Sequence, residues 1–141
     1  MTARRDVDNA PMRLLVVEDE ALVAMEIETI LVSLGYDVVG VADTLADALA
    51  LREAGQPVLA LVDMQLANGE SGLAVAAALR AHGTHSLFVT GNCPGDAGID
   101  VAIGCLHKPF NDRGLMHAVN AARAVIAGNI PGDVAGSFHL Y

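Results

Sequence analysis

Short apolar runs along the chain each stop at a polar residue with usable chemistry. Leu14-Leu15-Val16-Val17 runs into Glu18-Asp19-Glu20, residues 58–62 run into Asp63, and Leu87-Phe88-Val89 runs into Thr90. A further run over 101–106, with Gly104 inside it, ends in His107-Lys108-Pro109, and 36–41 is a β-branched run. Runs of this length bounded by turn residues predict buried strands. Between them the period changes to that of a helix. Leu22, Val23, Met25, Ile27, Ile30, Leu31 and Leu34 are helically spaced and close on Gly35, and Thr44 opens a second helix carrying Leu45, Ala48, Leu49 and Leu51 up to Gly55 and Pro57. The turn Asn68-Gly69 leads into an Ala/Leu-rich helix over 71–82 stopped by Gly83, and a last helix over 111–127 stops at Gly128. Its stripe of Leu115, Met116, Val119, Ala122, Val125 and Ile126 is expected to face the core.

Strands alternating with helices predict a parallel α/β sheet covered on both faces. One unit breaks the rhythm, since residues 91–100 hold three glycines and Pro94 where a fourth helix belongs. A short or irregular helix is expected there. The carboxyl ends of parallel strands share one edge, where ligands bind. That edge would collect the acids, the Thr90 hydroxyl and the Lys108 ammonium.

Composition narrows what this pocket belongs to. The chain has 141 residues, 53% hydrophobic and 18% charged, which fits one folded domain with a real core. No apolar run nears the ~18 residues of a membrane span, and residues 1–11 read as a flexible tail without the apolar stretch of a secretion signal. The cytoplasm is the expected location. A net charge of −9 with 8 Lys and Arg leaves no basic stripe for nucleic acid. Cys93 and Cys105 lack a CxxC or His partner and read as free thiols, buried or half-buried. The five scattered histidines read as surface or packing residues.

Carboxylates crowded at one edge repel, by roughly 4 kcal/mol for two charges 4 Å apart at an effective dielectric near 20. A hard divalent ion such as Mg²⁺ offsets that cost and keeps sites for phosphate oxygens. Lys108 adds a fixed positive charge suited to a phosphate oxygen. A carboxylate free of metal and proton is a nucleophile toward phosphorus, and Asp63, after the most apolar strand, is the best candidate. Thr90 stands ready to hydrogen-bond a phosphoryl oxygen.

The set Val16-Val17-Glu18-Asp19-Glu20, Leu61-Val62-Asp63-Met64, Ser71-Gly72, Val89-Thr90-Gly91 and Lys108-Pro109-Phe110 resembles the response-regulator receiver domain of two-component signalling, over about residues 13–127. The resemblance implies a flavodoxin-like, doubly wound, five-stranded parallel sheet in the order 2-1-3-4-5. It implies a receiver unit over 12–128 between tails at 1–11 and 129–141. It also implies that Asp63 accepts a phosphoryl group from a histidine kinase or histidine phosphotransfer protein. Glu18 (directly or through water), Asp19, Asp63 and the Gln65 backbone carbonyl would hold Mg²⁺. Thr90 would be the switch hydroxyl and Lys108 the cation paired with phosphate, on a cis bond to Pro109. The implied output is a change in binding to a downstream protein or a homodimer, without direct contact to nucleic acid or membrane. The protein would be no enzyme beyond its own phosphorylation and dephosphorylation.

Three places depart from the pattern. The loop after Asp63 is one residue longer and lacks its usual proline, Cys105 stands where many receivers carry a switch aromatic, and Phe88-Val89-Thr90-Gly91 resembles a subgroup with Phe-Ala-Thr-Gly there. Two other functions use similar residues. A haloacid-dehalogenase-type phosphohydrolase would need a second acid two residues past its nucleophile, where Gln65 stands and cannot transfer a proton. A degenerate receiver would serve as a phosphorylation-independent binding module, and the intact acids, Thr90 and Lys108 argue against it. The 129–141 segment either packs on the domain or awaits a partner.

Overall fold

The computed structural model describes residues 11–132 and 137–141. The tail expected over 1–11 therefore lies, Pro11 aside, outside the described residues. Strands β1 (Arg13–Val17), β2 (Asp37–Ala42), β3 (Leu59–Val62), β4 (His85–Thr90) and β5 (Gly104–His107) alternate with helices α1 (Ala21–Ser33), α2 (Leu45–Gly55), α3 (Gly72–Ala81) and α4 (Asp112–Ile126). The five strands are parallel in the order β2-β1-β3-β4-β5. A sixth, β6 (Phe138–Leu140), adds to β5 antiparallel, so the sheet has one strand more than expected. Of the two fates open to the 129–141 segment, residues 138–140 take the first and pair with the sheet.

Alternation along the central strands builds two cores. Leu14, Val16, Leu59, Leu61, Leu87 and Val89 face α1 and α4, while Leu15, Val17, Ala60, Val62 and Phe88 face α2 and α3. Period-two side chains on a strand buried on both faces read as a continuous apolar run, which explains the uninterrupted hydrophobic sequences. The helix stripe predicted for α4 is right at Leu115, Val119 and Ala122, whereas Val125 stays 37% exposed. On α1 the buried side is Ala24, Ile27, Ile30 and Leu31, and of the helically spaced apolar residues Leu22 and Met25 point outward.

Local signals placed the helix ends closely. Thr44, Ser71 and Asn111 each cap a helix with a side-chain oxygen that accepts from a first-turn N–H. The expected stop at Gly55 is shifted by one, since Gln56 takes the left-handed turn (φ 52°) after α2. Only a short 3₁₀ turn (Gly95–Gly98) fills the place of the irregular fourth helix, as its glycines predicted. Val101, Ala102 and Tyr141 pack against the core on that side instead. The run 101–106 forms a strand only from Gly104, where a side chain would come within 2.5 Å of the His139 carbonyl oxygen on β6. A bare Cα is what lets β6 dock.

Candidate functional site

Register brings the strand-end residues together. Val17 pairs with Val62, Val62 with Phe88 and Thr90 with His107, so the residues that follow emerge side by side at the carboxyl edge. Three backbone bonds fix the exits: Glu18 N–H to Ala42 O (2.8 Å), Asp63 N–H to Val17 O (2.9 Å) and Lys108 N–H to Thr90 O (2.9 Å). The Lys108–Pro109 peptide bond is cis.

At this edge Lys108 Nζ donates to Glu18 Oε1 at 2.6 Å and to Asp63 Oδ2 at 3.1 Å. Glu18, Asp63 and Thr90 are all buried. The loop after Asp63 is held on both sides. Gln65 bridges to Ser71, Gln65 N–H donates weakly to Asp63 Oδ1 (3.4 Å), and Glu70 Oε1 accepts from Leu45 N–H at 2.6 Å, tying the loop to the start of α2. Thr90 Oγ1 accepts from Asn92 N–H at 3.3 Å, which aligns the turn beyond β4.

One ammonium shared by two buried carboxylates cannot neutralise both. Burial, only partly countered by Lys108 and the Glu20 N–H and reinforced by the Asp63 charge, pushes Glu18 up to about 7. Burial also opposes ionisation of Asp63, but hydrogen bonds from Thr90 and Lys108 outweigh it and hold that carboxyl below its ordinary range. Lys108 is raised, because its bonds to Glu18 and Asp63 overcome its own desolvation. Asp63 is thus the ionised acid of the pair, the state a nucleophile needs.

This asymmetry makes stability depend on pH in a definite sense. Glu18 binds its proton more tightly folded (about 7) than at its ordinary 4.5, so its contribution is complete below pH 4.5 and is lost as pH rises toward 7. A shift of that size corresponds to about 3 kcal/mol. Asp63, lowered, loses its contribution only in acid and does not mask the trend. Urea unfolding of the metal-free chain should therefore show stability falling between pH 5 and pH 7.5, and Glu18→Gln should flatten that slope.

Carboxylate oxygens of Glu18, Glu20 and Asp63 lie within 4.8 Å of one another, close enough to share one divalent ion. The donor set is all oxygen and carries an excess of negative charge over Lys108, which suits Mg²⁺. Of the expected ligands, the Glu18 and Asp63 carboxylates meet here and Asp19 is exposed in the same depression as Glu18, while Gln65, expected to contribute its backbone carbonyl, stays next to Asp63 through its N–H. Glu20 joins the acids unforeseen, although the Glu18-Asp19-Glu20 run had shown a surplus acid.

The two cysteines are not the free thiols expected from their spacing. Cys93 and Cys105 are joined in a disulfide, with no free cysteine among the described residues. The pairing comes from tertiary packing of the turn after β4 against β5, which no local spacing motif reveals.

Comparison with known proteins bears on the family and the fold. Residues 14–120 match the model of the response regulator receiver domain. The phyllosphere-induced regulator PhyR of Methylorubrum extorquens is 42% identical over 79 residues, covering 55% of this chain and 30% of that protein. The chain thus spans about 30% of the length of the curated relatives it matches. Among solved structures, PhyR from Brucella abortus superposes with a TM-score of 0.66 at 30% identity, over 90% of this chain and 57% of that one. The receiver domain of Erythrobacter litoralis PhyR superposes with a TM-score of 0.69 at 26% identity, over 90% and 98% of the two chains.

Proposed function

This chain belongs to the response-regulator receiver family, and on that footing we propose that it is a phosphoacceptor switch with Asp63 as the acceptor. The observation that carries the reading is the single Lys108 ammonium bridging Glu18 and Asp63 at the carboxyl edge of the sheet. The proposed donor is a phosphohistidine on a histidine kinase or phosphotransfer protein, in the cytoplasm. An Asp63 carboxylate oxygen attacks the phosphorus in line, the P–N bond breaks, and the histidine leaves as a neutral imidazole once it has taken a proton. Lys108 turns from Asp63 to a phosphoryl oxygen, and the Thr90 hydroxyl donates to another. Glu18, Asp63 and the Gln65 carbonyl, with Asp19 or Glu20, are the residues that would hold Mg²⁺. That ion, when bound, neutralises charge on the transferring group.

Phosphorylation replaces the single charge of the Asp63 carboxylate with the roughly double charge and three acceptor oxygens of a phosphoryl group, a net gain of about one negative charge beside Thr90. The turn after β4 and the β5, β6 and α4 face are the elements such a change would move, so the output is proposed as altered binding of a partner protein or a second copy. The switching unit is taken as residues 12–128, with 129–141 supplying its edge strand. Hydrolysis of the acyl phosphate resets it.

The donor's approach is read from α1. Leu22 and Met25 stand 80% and 60% exposed, and Met25 lines the depression shared with Glu18 and Asp19. Exposed apolar side chains rimming an acidic site suit the apolar surface of a partner helix. Leu22→Glu should slow phosphotransfer from the cognate kinase by about tenfold or more. Its labelling by acetyl phosphate should not change. Equal loss with both donors would place the effect in the site and not in docking.

A further inference from the structure

We propose that Cys93 and Cys105 form a reversible thiol–disulfide clasp that sets how freely the segment behind Thr90 can move. The bonded pair spans 12 residues, with Cα atoms 6.0 Å apart. Its placement makes it more than a staple. Cys93 lies three residues after Thr90 and Cys105 three before Lys108, so each sulfur is anchored next to a residue of the proposed switch. The Lys108 N–H to Thr90 O bond (2.9 Å) already joins the two strand ends. The disulfide closes a second, covalent link across the same pair of elements.

Within the enclosed stretch, Val101 and Ala102 pack on the core and the Tyr141 ring covers Gly98, while the part from Asn92 to Ala97 has few bonds to the rest of the domain. The one regular element of the stretch is the 3₁₀ turn, and beyond that Val101 and Ala102 N–H groups return to Gly98 O and Ile103 N–H reaches Ser86 O. Asn92, Gly95, Asp96, Ala97, Ile99 and Asp100 are exposed. A segment with few internal bonds samples open states unless a cross-link restricts it. Opening the disulfide leaves the two core sides intact, because the folded unit has a large apolar core of its own. Disulfides in reducing compartments are mostly transient and regulatory, which fits a clasp that is not needed for folding.

Access sets the order of events. Cys105 is fully buried on β5, whereas Cys93 is partly exposed. A thiolate of an external dithiol therefore attacks the Cys93 sulfur. The Cys93–Cys105 bond breaks, and its electron pair passes to the Cys105 sulfur, which takes a proton. The second thiol of the reductant then closes on the first, releasing Cys93 as a thiol. Two electrons and two protons move from the dithiol to the pair, and the dithiol leaves as a cyclic disulfide. A small-molecule disulfide such as glutathione disulfide runs the sequence backward, leaving as two thiols.

The clasp stands on geometry alone, while its consequence for signalling rests on the phosphoacceptor reading. The test uses the full chain purified without reductant. Denatured and treated with N-ethylmaleimide, it should gain no adduct, and after native incubation with dithiothreitol it should gain two. Adducts without reductant, or a bond that survives native dithiothreitol, overturn the proposal. Amide exchange over residues 91–103 should be at least about tenfold faster in the reduced chain and should slow again with glutathione disulfide. Cys93→Ser should exchange at the reduced rate under both conditions. Equal exchange in the two states overturns the clasp even if Asp63 is labelled normally. Redox-dependent exchange with no labelling by acetyl phosphate in either state would instead remove the phosphoacceptor reading and leave the clasp in place.

Discussion

An Asp63→Asn chain incubated with Mg²⁺ and acetyl phosphate is expected to show no phosphoryl adduct by intact-mass spectrometry, where the unaltered chain gains one. The effect is all or none, because an amide oxygen has no free negative charge with which to attack phosphorus. The same substitution should leave the fold intact. Asparagine keeps the shape and can still accept from Lys108 through its oxygen, and loss of one of two neighbouring buried acids relieves their repulsion. Lys108 would then belong to Glu18 alone, at the 2.6 Å contact it already makes. Thermal unfolding of the variant should therefore stay cooperative, which separates loss of the acceptor from loss of the fold. An adduct retained on a folded Asp63→Asn chain would move the acceptor elsewhere and sink the proposed function.

Gly72→Ala is expected to be the most damaging small substitution in the molecule. A methyl at this position would lie 2.2 Å from the Asp63 carbonyl oxygen and 2.7 Å from Met64 Cα, both backbone atoms that cannot rotate away. Gly72 N–H also donates to Met64 O at 2.8 Å, so α3 begins pressed against the end of β3. Relieving the clash means moving either the helix or the strand end that carries the acceptor. Overpacking of this kind costs about 3 kcal/mol. For a chain of this size that lowers the melting temperature by about 10 °C. Differential scanning calorimetry gives the loss, and acetyl phosphate labelling of the surviving folded fraction should be slowed as well. An unchanged melting temperature would mean that α3 has room the structure does not show.

Much of this arrangement was legible in the chain. The runs ending at Val17, Val62, Val89 and Leu106 could be read as strands because burial on both faces removes polar residues from them altogether. Caps at Thr44, Ser71 and Asn111 marked helix starts, since a side chain that satisfies a free N–H leaves a local signature. The site followed, because parallel strands deliver their next residues to one edge. What escaped were contacts between segments distant in sequence. Docking of 138–140 on β5 depends on space above Gly104, not on any alternation strong enough to announce a strand. The Cys93–Cys105 bond and the approach of Glu20 to Glu18 and Asp63 are likewise products of packing. Leu22 and Met25 marked the helix correctly by spacing but not its exposed side. Apolar spacing cannot tell a face turned to the core from one turned outward beside a functional edge.

The docked terminus also gives the molecule an optical probe of its own. The chain has no tryptophan and two tyrosines. Tyr36 donates its hydroxyl to Asn120 at 3.3 Å, between β2 and α4 and away from the segment behind Thr90. Tyr141 lies with its ring over Gly98 inside that segment, its hydroxyl buried without a hydrogen-bond partner among the described residues and its ionisation pushed up by burial. Ultraviolet emission from the unlabelled protein thus comes from one tyrosine away from the segment proposed to move and one seated on it, and a Tyr36→Phe background leaves the second alone as the reporter that tests that motion.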